Sequence, residues 1–252
     1  MQESTRFEGS VALVTGANRG IGRAVTEALL ERGAKKVYAT ARDVQTVEAL
    51  RERHGERVVP LRLDVTDAEQ VAAVARTATD VDVLVNNAGA FEPTDLADEA
   101  IVEVARREME VNYFGALRML HAFRDTLVRH RGTLVYIGSA AGLTNVPLQP
   151  TYSASKAAQH SLTQASRASL AGRGVSVHGV YPGPVDTDMT KDLPAAFTKT
   201  PAPAVAHAIL DGIEAGEEDV FPDPFAVAFG GQFRSSPKSV EKQMAALVTS
   251  PA

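Results

Sequence analysis

Val11-Ala12-Leu13-Val14-Thr15 runs straight into Gly16-Ala17-Asn18-Arg19-Gly20-Ile21-Gly22, and the chain then continues with apolar residues at Ala24, Val25, Leu29 and Leu30. A short apolar run ending in glycine reads as a strand, and the apolar spacing that follows reads as a helix. Gly16 permits the sharp turn between them, while Gly20 and Gly22 let backbone approach a ligand and let the helix pack closely on its strand. Unpaired N–H groups at such a helix start form a phosphate site. The glycine spacing here is Gly-x-x-x-Gly-x-Gly, so the commoner Gly-x-Gly-x-x-Gly pattern is not met literally.

Outward from this unit, strand-like and helical patterns alternate. Strands are expected at Val37–Ala41, Val58–Leu63, Val81–Val85, Thr133–Ile137, Val175–Tyr181 and Asp219–Phe221. Helices are expected at Asp67–Ala78, over Leu96–His130 with a break near Asn112, and at Tyr152–Leu170 and Ala202–Ala215. Such alternation builds parallel βαβ units, so the expectation is α/β: a Rossmann-like, doubly wound, mostly parallel seven-stranded sheet with helices on both faces. No linker, repeat or charge run divides the 252 residues, which read as one domain.

Composition excludes several functions. The net charge of −5 supplies no basic footprint for nucleic acid. Cysteine is absent, which removes disulfides, thiol nucleophiles and cysteine metal ligands. The six histidines show no close ligand spacing, so no metal is expected. The opening residues lack a signal-peptide core and no stretch is apolar enough to span a membrane, so the reading is a soluble cytoplasmic protein.

Chemistry is suggested by Tyr152-Ser153-Ala154-Ser155-Lys156. Residues four apart on a helix share a face, which sets an ammonium beside a phenol. A nearby positive charge favours the phenolate and lowers a pKa of about 10, so that the hydroxyl can exchange protons with a substrate oxygen.

Thr15-Gly16-x-x-x-Gly20-x-Gly22, Asn86-Asn87-Ala88-Gly89, Asn112, Ser139, Tyr152-x-x-x-Lys156 and Pro182-Gly183-x-x-x-Thr187, in this order, resemble the short-chain dehydrogenase/reductase family from about residue 9 to 190. The resemblance implies that Gly16, Asn18, Arg19, Gly20, Ile21 and Gly22 cradle a nicotinamide dinucleotide and that Asp64 and Val65 meet its adenine. It implies that Asn86 holds neighbouring strands beside it, and that Val185 and Thr187 hold its carboxamide. Asn112, Ser139, Tyr152 and Lys156 become the catalytic set. Ser139 bonds the substrate carbonyl, Tyr152 exchanges its proton, Lys156 lowers the tyrosine pKa and binds the nicotinamide ribose, and Asn112 interrupts a helix and holds a water leading to the lysine.

Cofactor choice is read at the end of the second strand. Ala41 stands where an NAD-selecting acid falls in the family, and Arg42 follows; with Arg19 it offers two guanidiniums to a 2′-phosphate. NADP(H) is expected. NAD(H), with Asp43 on the ribose, is the alternative.

Phe91, Leu143–Val146 and a lid at about 188–200 are expected to set the substrate. Leu143, Val146, Met189, Leu193 and Phe197 either line an apolar pocket or pack on one another. The segment at about 222–252 departs from the family's usual ending and puts its usual tetramer in doubt. A homo-oligomer is still expected, with Ala154, Ala157 and Ala158 allowing close approach. The leading function is reduction of a small ketone or aldehyde, or the reverse oxidation of an alcohol. An NAD-dependent alcohol or hydroxysteroid dehydrogenase and a non-catalytic dinucleotide sensor are the alternatives.

Overall fold

The structure, a computed structural model, describes residues 5–193 and 197–249. Its sheet comprises β1 (Val11–Thr15), β2 (Lys36–Ala41), β3 (Val58–Arg62), β4 (Val83–Asn86), β5 (Thr133–Ile137), β6 (Ser176–Val180) and β9 (Asp219–Val220). Their order is β3-β2-β1-β4-β5-β6-β9, every pairing parallel. The order reverses between β1 and β4, and such a reversal opens a crevice at the strands' carboxyl ends.

The strands are continuous apolar runs because both faces are covered. Ala12 and Val14 of β1 join a core with α1 (Gly20–Glu31), α2 (Gln45–His54) and α7 (Ala202–Glu214). Val11 and Leu13 point the other way, to a core with α3 (Ala68–Thr77), α5 (Ala116–His130) and α6 (Pro150–Leu170). A one-residue slip would exchange the two faces but still bury apolar side chains, so the strand ends fix the register. Asp82 does this for β1 and β4: its Oδ1 accepts from Val11 N at 3.0 Å.

Several boundaries depart from expectation. The helix after the fourth strand starts at Ile101, in α4 (Ile101–Met109), because the carboxylates of Asp95 and Asp98 accept from Ala97 N and Ala100 N and hold the preceding residues in turns. The expected break near Asn112 is a π-helical turn, Glu110–Gly115, leading without a stop into α5. Among the elements not foreseen are α2, which buries only Val47 and Leu50, and a two-residue parallel pair, β7 (Val185–Asp186) with β8 (Thr200–Pro201). The C-terminal segment folds as α8 (Pro224–Ser235) and α9 (Pro237–Thr249). Within α8 nothing larger than glycine fits at Gly230, where a Cβ would lie 2.4 Å from the Phe221 ring.

Candidate active site

A cleft of about 1240 Å³ lies along the carboxyl ends of the strands. At one end Gly16, Asn18, Arg19, Gly20 and Ile21 line it. Gly16 and Gly20 have φ of +66° and +54°, the left-handed region that favours glycine. No side chain caps the start of α1, so its first N–H groups are left for an anion. Of the two tasks expected of Gly22, the structure shows the packing one. It does not line the cleft; a Cβ there would lie 2.3 Å from Gly16 O and from Asn87 Nδ2, so its task is helix-to-turn packing.

Asn86 corrects the sequence reading. Its side chain is buried in β4, has no hydrogen-bond partner among the described residues, and lies outside the cleft. The tether is its neighbour: Asn87 Nδ2 donates to Thr15 O at 2.8 Å and Gly16 O at 3.1 Å, and Thr15 Oγ1 accepts from the N–H groups of Asn87 and Ala88 at 2.9 Å. Because strand side chains alternate, only one of two adjacent asparagines can turn toward β1's end.

Arg42 lines the cleft, is exposed, and enters no ion pair among the described residues. Asp43 lines it too, and its Oδ1 accepts from Gln45 N at 3.1 Å at the start of α2. Asp64 and Val65 line the cleft, with Asp64 Oδ1 accepting from the Thr66 N–H and hydroxyl. Arg19 differs from expectation. Its Nη1 reaches Asp188 Oδ2 at 3.2 Å, bridging the glycine turn to the segment after β7 instead of joining Arg42.

Ser139, Tyr152 and Lys156 meet at the cleft's centre. Ser139 leaves β5 and caps the short turn Ala140–Gly142, accepting from Ala141 N at 3.1 Å. Its hydroxyl also bonds toward the Tyr152 phenol, favouring the phenolate. Burial acts in the opposite sense and prevails, pushing the Tyr152 pKa up to about 12. Lys156 does not offset this. Its Nζ donates to Ile137 O and to Gln159 Oε1, each at 2.9 Å, and lies 5.8 Å from the centre of the tyrosine ring. Burial pushes the lysine down to about 7, which leaves much of it neutral at physiological pH. The phenol lowered by an ammonium, expected from the spacing, is therefore not what this arrangement holds. Spacing placed the two groups correctly but carried no information about desolvation.

Asn112 is fully buried and stands behind the cleft wall rather than in it. Its Oδ1 accepts from Ala90 N at 2.8 Å, and its Nδ2 donates to Ala90 O at 2.9 Å and Ser155 Oγ at 2.8 Å. Ser155 Oγ donates in turn to Tyr152 O at 2.7 Å. Asn112 thus positions the loop after β4 against the helix of Tyr152.

Val185 and Thr187 line the cleft beside Gly20, with the Thr187 methyl 3.2 Å from where a Gly20 Cβ would stand. The other end is apolar: Phe91, Val146, Leu148, Met189, Leu193 and Phe197, with Phe225 and Phe229 of α8 and Met244 of α9. Leu148, Met189 and Phe225 are exposed large apolar side chains, and all three border this opening. Leu143 departs from expectation by packing beneath α8 and α9 with Phe229 and Val240. Residues 194–196 of the expected lid lie outside the described residues. The contribution of Phe225, Phe229 and Met244 was missed because nothing local in the sequence says that residues 224–249 fold back on the cleft.

The short chain dehydrogenase family model matches residues 10–197. A 3-oxoacyl-(acyl-carrier-protein) reductase FabG of Vibrio cholerae is 38% identical over 196 residues, 74% of this chain and 78% of that protein. A cis-4-hydroxycyclohexanecarboxylate dehydrogenase of Sinomonas cyclohexanicum is 37% identical over 203 residues, 78% of this chain and 81% of that protein. A short chain dehydrogenase from Burkholderia cenocepacia J2315, crystallised in complex with NADP, is 37% identical, with a TM-score of 0.89 over 98% of this chain and 100% of that one. On sequence and fold together, this chain belongs to the short chain dehydrogenase family.

Proposed function

We propose that this oxidoreductase transfers hydride between NADP(H) and a carbonyl or secondary-alcohol substrate, with reduction of an apolar ketone or aldehyde as its main direction. The observation that carries the reading is one cleft with an uncapped glycine-turn helix and Arg42 at one end, Ser139 and Tyr152 at the centre, and an apolar opening at the other. The residues fit the dinucleotide: a Cβ at Gly16 or Gly20 would crowd its neighbours at 3.2 Å, and Arg42 carries a charge that suits a 2′-phosphate. The relative from Burkholderia cenocepacia with NADP bound supports the same choice. Asp43 also lines the cleft, and the NAD alternative would use its remaining carboxylate oxygen.

The bound cofactor supplies or receives the hydride. The chain's own residues handle the proton and the oxygen. With its pKa near 12, Tyr152 holds its hydroxyl proton at neutral pH and stands ready as a general acid for the developing alkoxide. Ser139 Oγ shares that oxygen as a hydrogen-bond donor. Lys156, held by Ile137 O and Gln159 Oε1 on the cleft wall, would bind the nicotinamide ribose.

The test is a panel of carbonyl compounds assayed by nicotinamide absorbance with NADPH and NADH in parallel. The named relatives place 3-oxoacyl thioesters and oxocyclohexanecarboxylates in that panel beside simple apolar ketones. NADPH-dependent turnover of at least one class is expected; turnover with NADH alone would remove the cofactor choice.

A further inference from the structure

Glu108 is a fully buried carboxyl that enters no ion pair among the described residues. Its neighbour Arg107 points outward, to Glu92, with Nε–Oε1 at 2.8 Å and Nη2–Oε2 at 2.6 Å. A buried carboxyl without an ion-pair partner is costly and calls for a reason. Its two oxygens supply one. Oε1 accepts from Glu92 N at 2.9 Å, one residue beyond Phe91, whose ring meets the Tyr152 ring edge-on at 5.4 Å. Oε2 and the hydroxyl of Thr151 are both buried without a completed hydrogen bond, yet Thr151 favours the Glu108 carboxylate, so the two groups face each other. Thr151 immediately precedes Tyr152 in the first turn of α6.

One helical turn further on, Asn112 repeats the pattern: it joins Ala90 of the same loop to Ser155 of the same helix. Glu108 and Asn112 are four residues apart, as are Thr151 and Ser155, so the two links form parallel rungs between the loop after β4 and the helix of Tyr152. The rungs differ in charge. Glu92 and Arg107 face Glu108 from the loop and from α4 with opposing effects, and Thr151 and Tyr152 face it from α6. The negative charge of Glu108 disfavours the Tyr152 phenolate.

We propose that Glu108 is a positioning residue for the proton-donating tyrosine: its buried carboxyl is the second rung, holding the loop of Phe91 and the helix of Tyr152 in register. The proposal rests on Tyr152 being the proton donor.

Glu108→Gln keeps the acceptor for Glu92 N and removes the charge; Glu108→Leu removes both. Each is compared with wild type by thermal unfolding and by kcat and KM with a ketone–alcohol pair and NADP(H), with Tyr152→Phe as control. For Glu108→Gln, which still accepts from Glu92 N, kcat is expected to stay within about twofold of wild type at near-native stability. For Glu108→Leu, kcat is expected to fall about tenfold with the KM for NADPH unchanged, because the phosphate end of the cleft is untouched. Full kcat in Glu108→Leu, or a loss in Glu108→Gln as large as that in Glu108→Leu, overturns the proposal. If Glu108→Leu does not fold, Thr151→Val, which removes the facing hydroxyl, is read in the same way. Turnover surviving Tyr152→Phe would instead sink the reading of the tyrosine itself.

Discussion

Lys156 Nζ lies 5.8 Å from the centre of the Tyr152 ring, and its hydrogen bonds go to Ile137 O and Gln159 Oε1. Burial therefore governs both partners, in opposite directions: the phenol is pushed up to about 12 and the ammonium down to about 7. The site stores its proton on the tyrosine.

The lysine shift makes stability depend on pH. Between pH 7 and the ordinary lysine value of 10.5, the unfolded chain holds a proton that the folded chain has released, so Lys156 costs stability at neutral pH and the cost fades as pH rises. Lys156→Met removes that dependence. In thermal unfolding, the variant's Tm relative to wild type is expected to be highest near pH 7 and to decline steadily toward pH 10. A difference that stays constant across this window contradicts the assigned burial cost.

At the phosphate end, Arg42 is exposed and unpaired among the described ion pairs, whereas Arg19 is drawn to Asp188. Arg42→Ala is expected to raise the KM for NADPH about tenfold and leave NADH unchanged, since a charge-assisted phosphate contact is lost. Asp188→Asn breaks an exposed pair worth under about 1 kcal/mol and frees Arg19. Its expected effect is a lower KM for NADPH; steady-state kinetics with both cofactors check the two variants together.

Asp223 joins the C-terminal helices to the cleft. Its Oδ1 caps α8 through Ala226 N and its Oδ2 accepts from Gly183 N, both at 2.8 Å. A Cβ at Gly183 would lie 2.5 Å from the Phe225 ring, so the helix sits directly on this turn. Asp223→Ala loses the cap and leaves a part-buried N–H without its partner, a cost of about 1–3 kcal/mol. Denaturant titration should show that loss. The KM for an apolar ketone should rise too, because Phe225 and Phe229 lose their anchor.

What the sequence made legible was what local pattern governs. Apolar runs bounded by glycine located the strands, since burial on both faces leaves no other reading for β1 or β5. Motif order brought Ser139, Tyr152 and Lys156 to one cleft. Pattern failed where the deciding partner is distant in the chain. Nothing local distinguishes Asn86 from Asn87. Glu108, four residues before Asn112, drew no notice because an acid on a helix is ordinarily solvated; its burial emerges only when α4 packs on α6.

The account depends on the Tyr152 hydroxyl as the group that gives and takes the proton. The most direct measurement is single-turnover hydride transfer in Tyr152→Phe, followed by nicotinamide absorbance with NADPH and an accepted ketone, with cofactor affinity measured separately by fluorescence titration. The expected result is a rate lower by about 10²-fold or more with NADPH still bound, as the loss of general acid catalysis requires. A transfer rate equal to that of the wild type, with cofactor bound equally well, would contradict it.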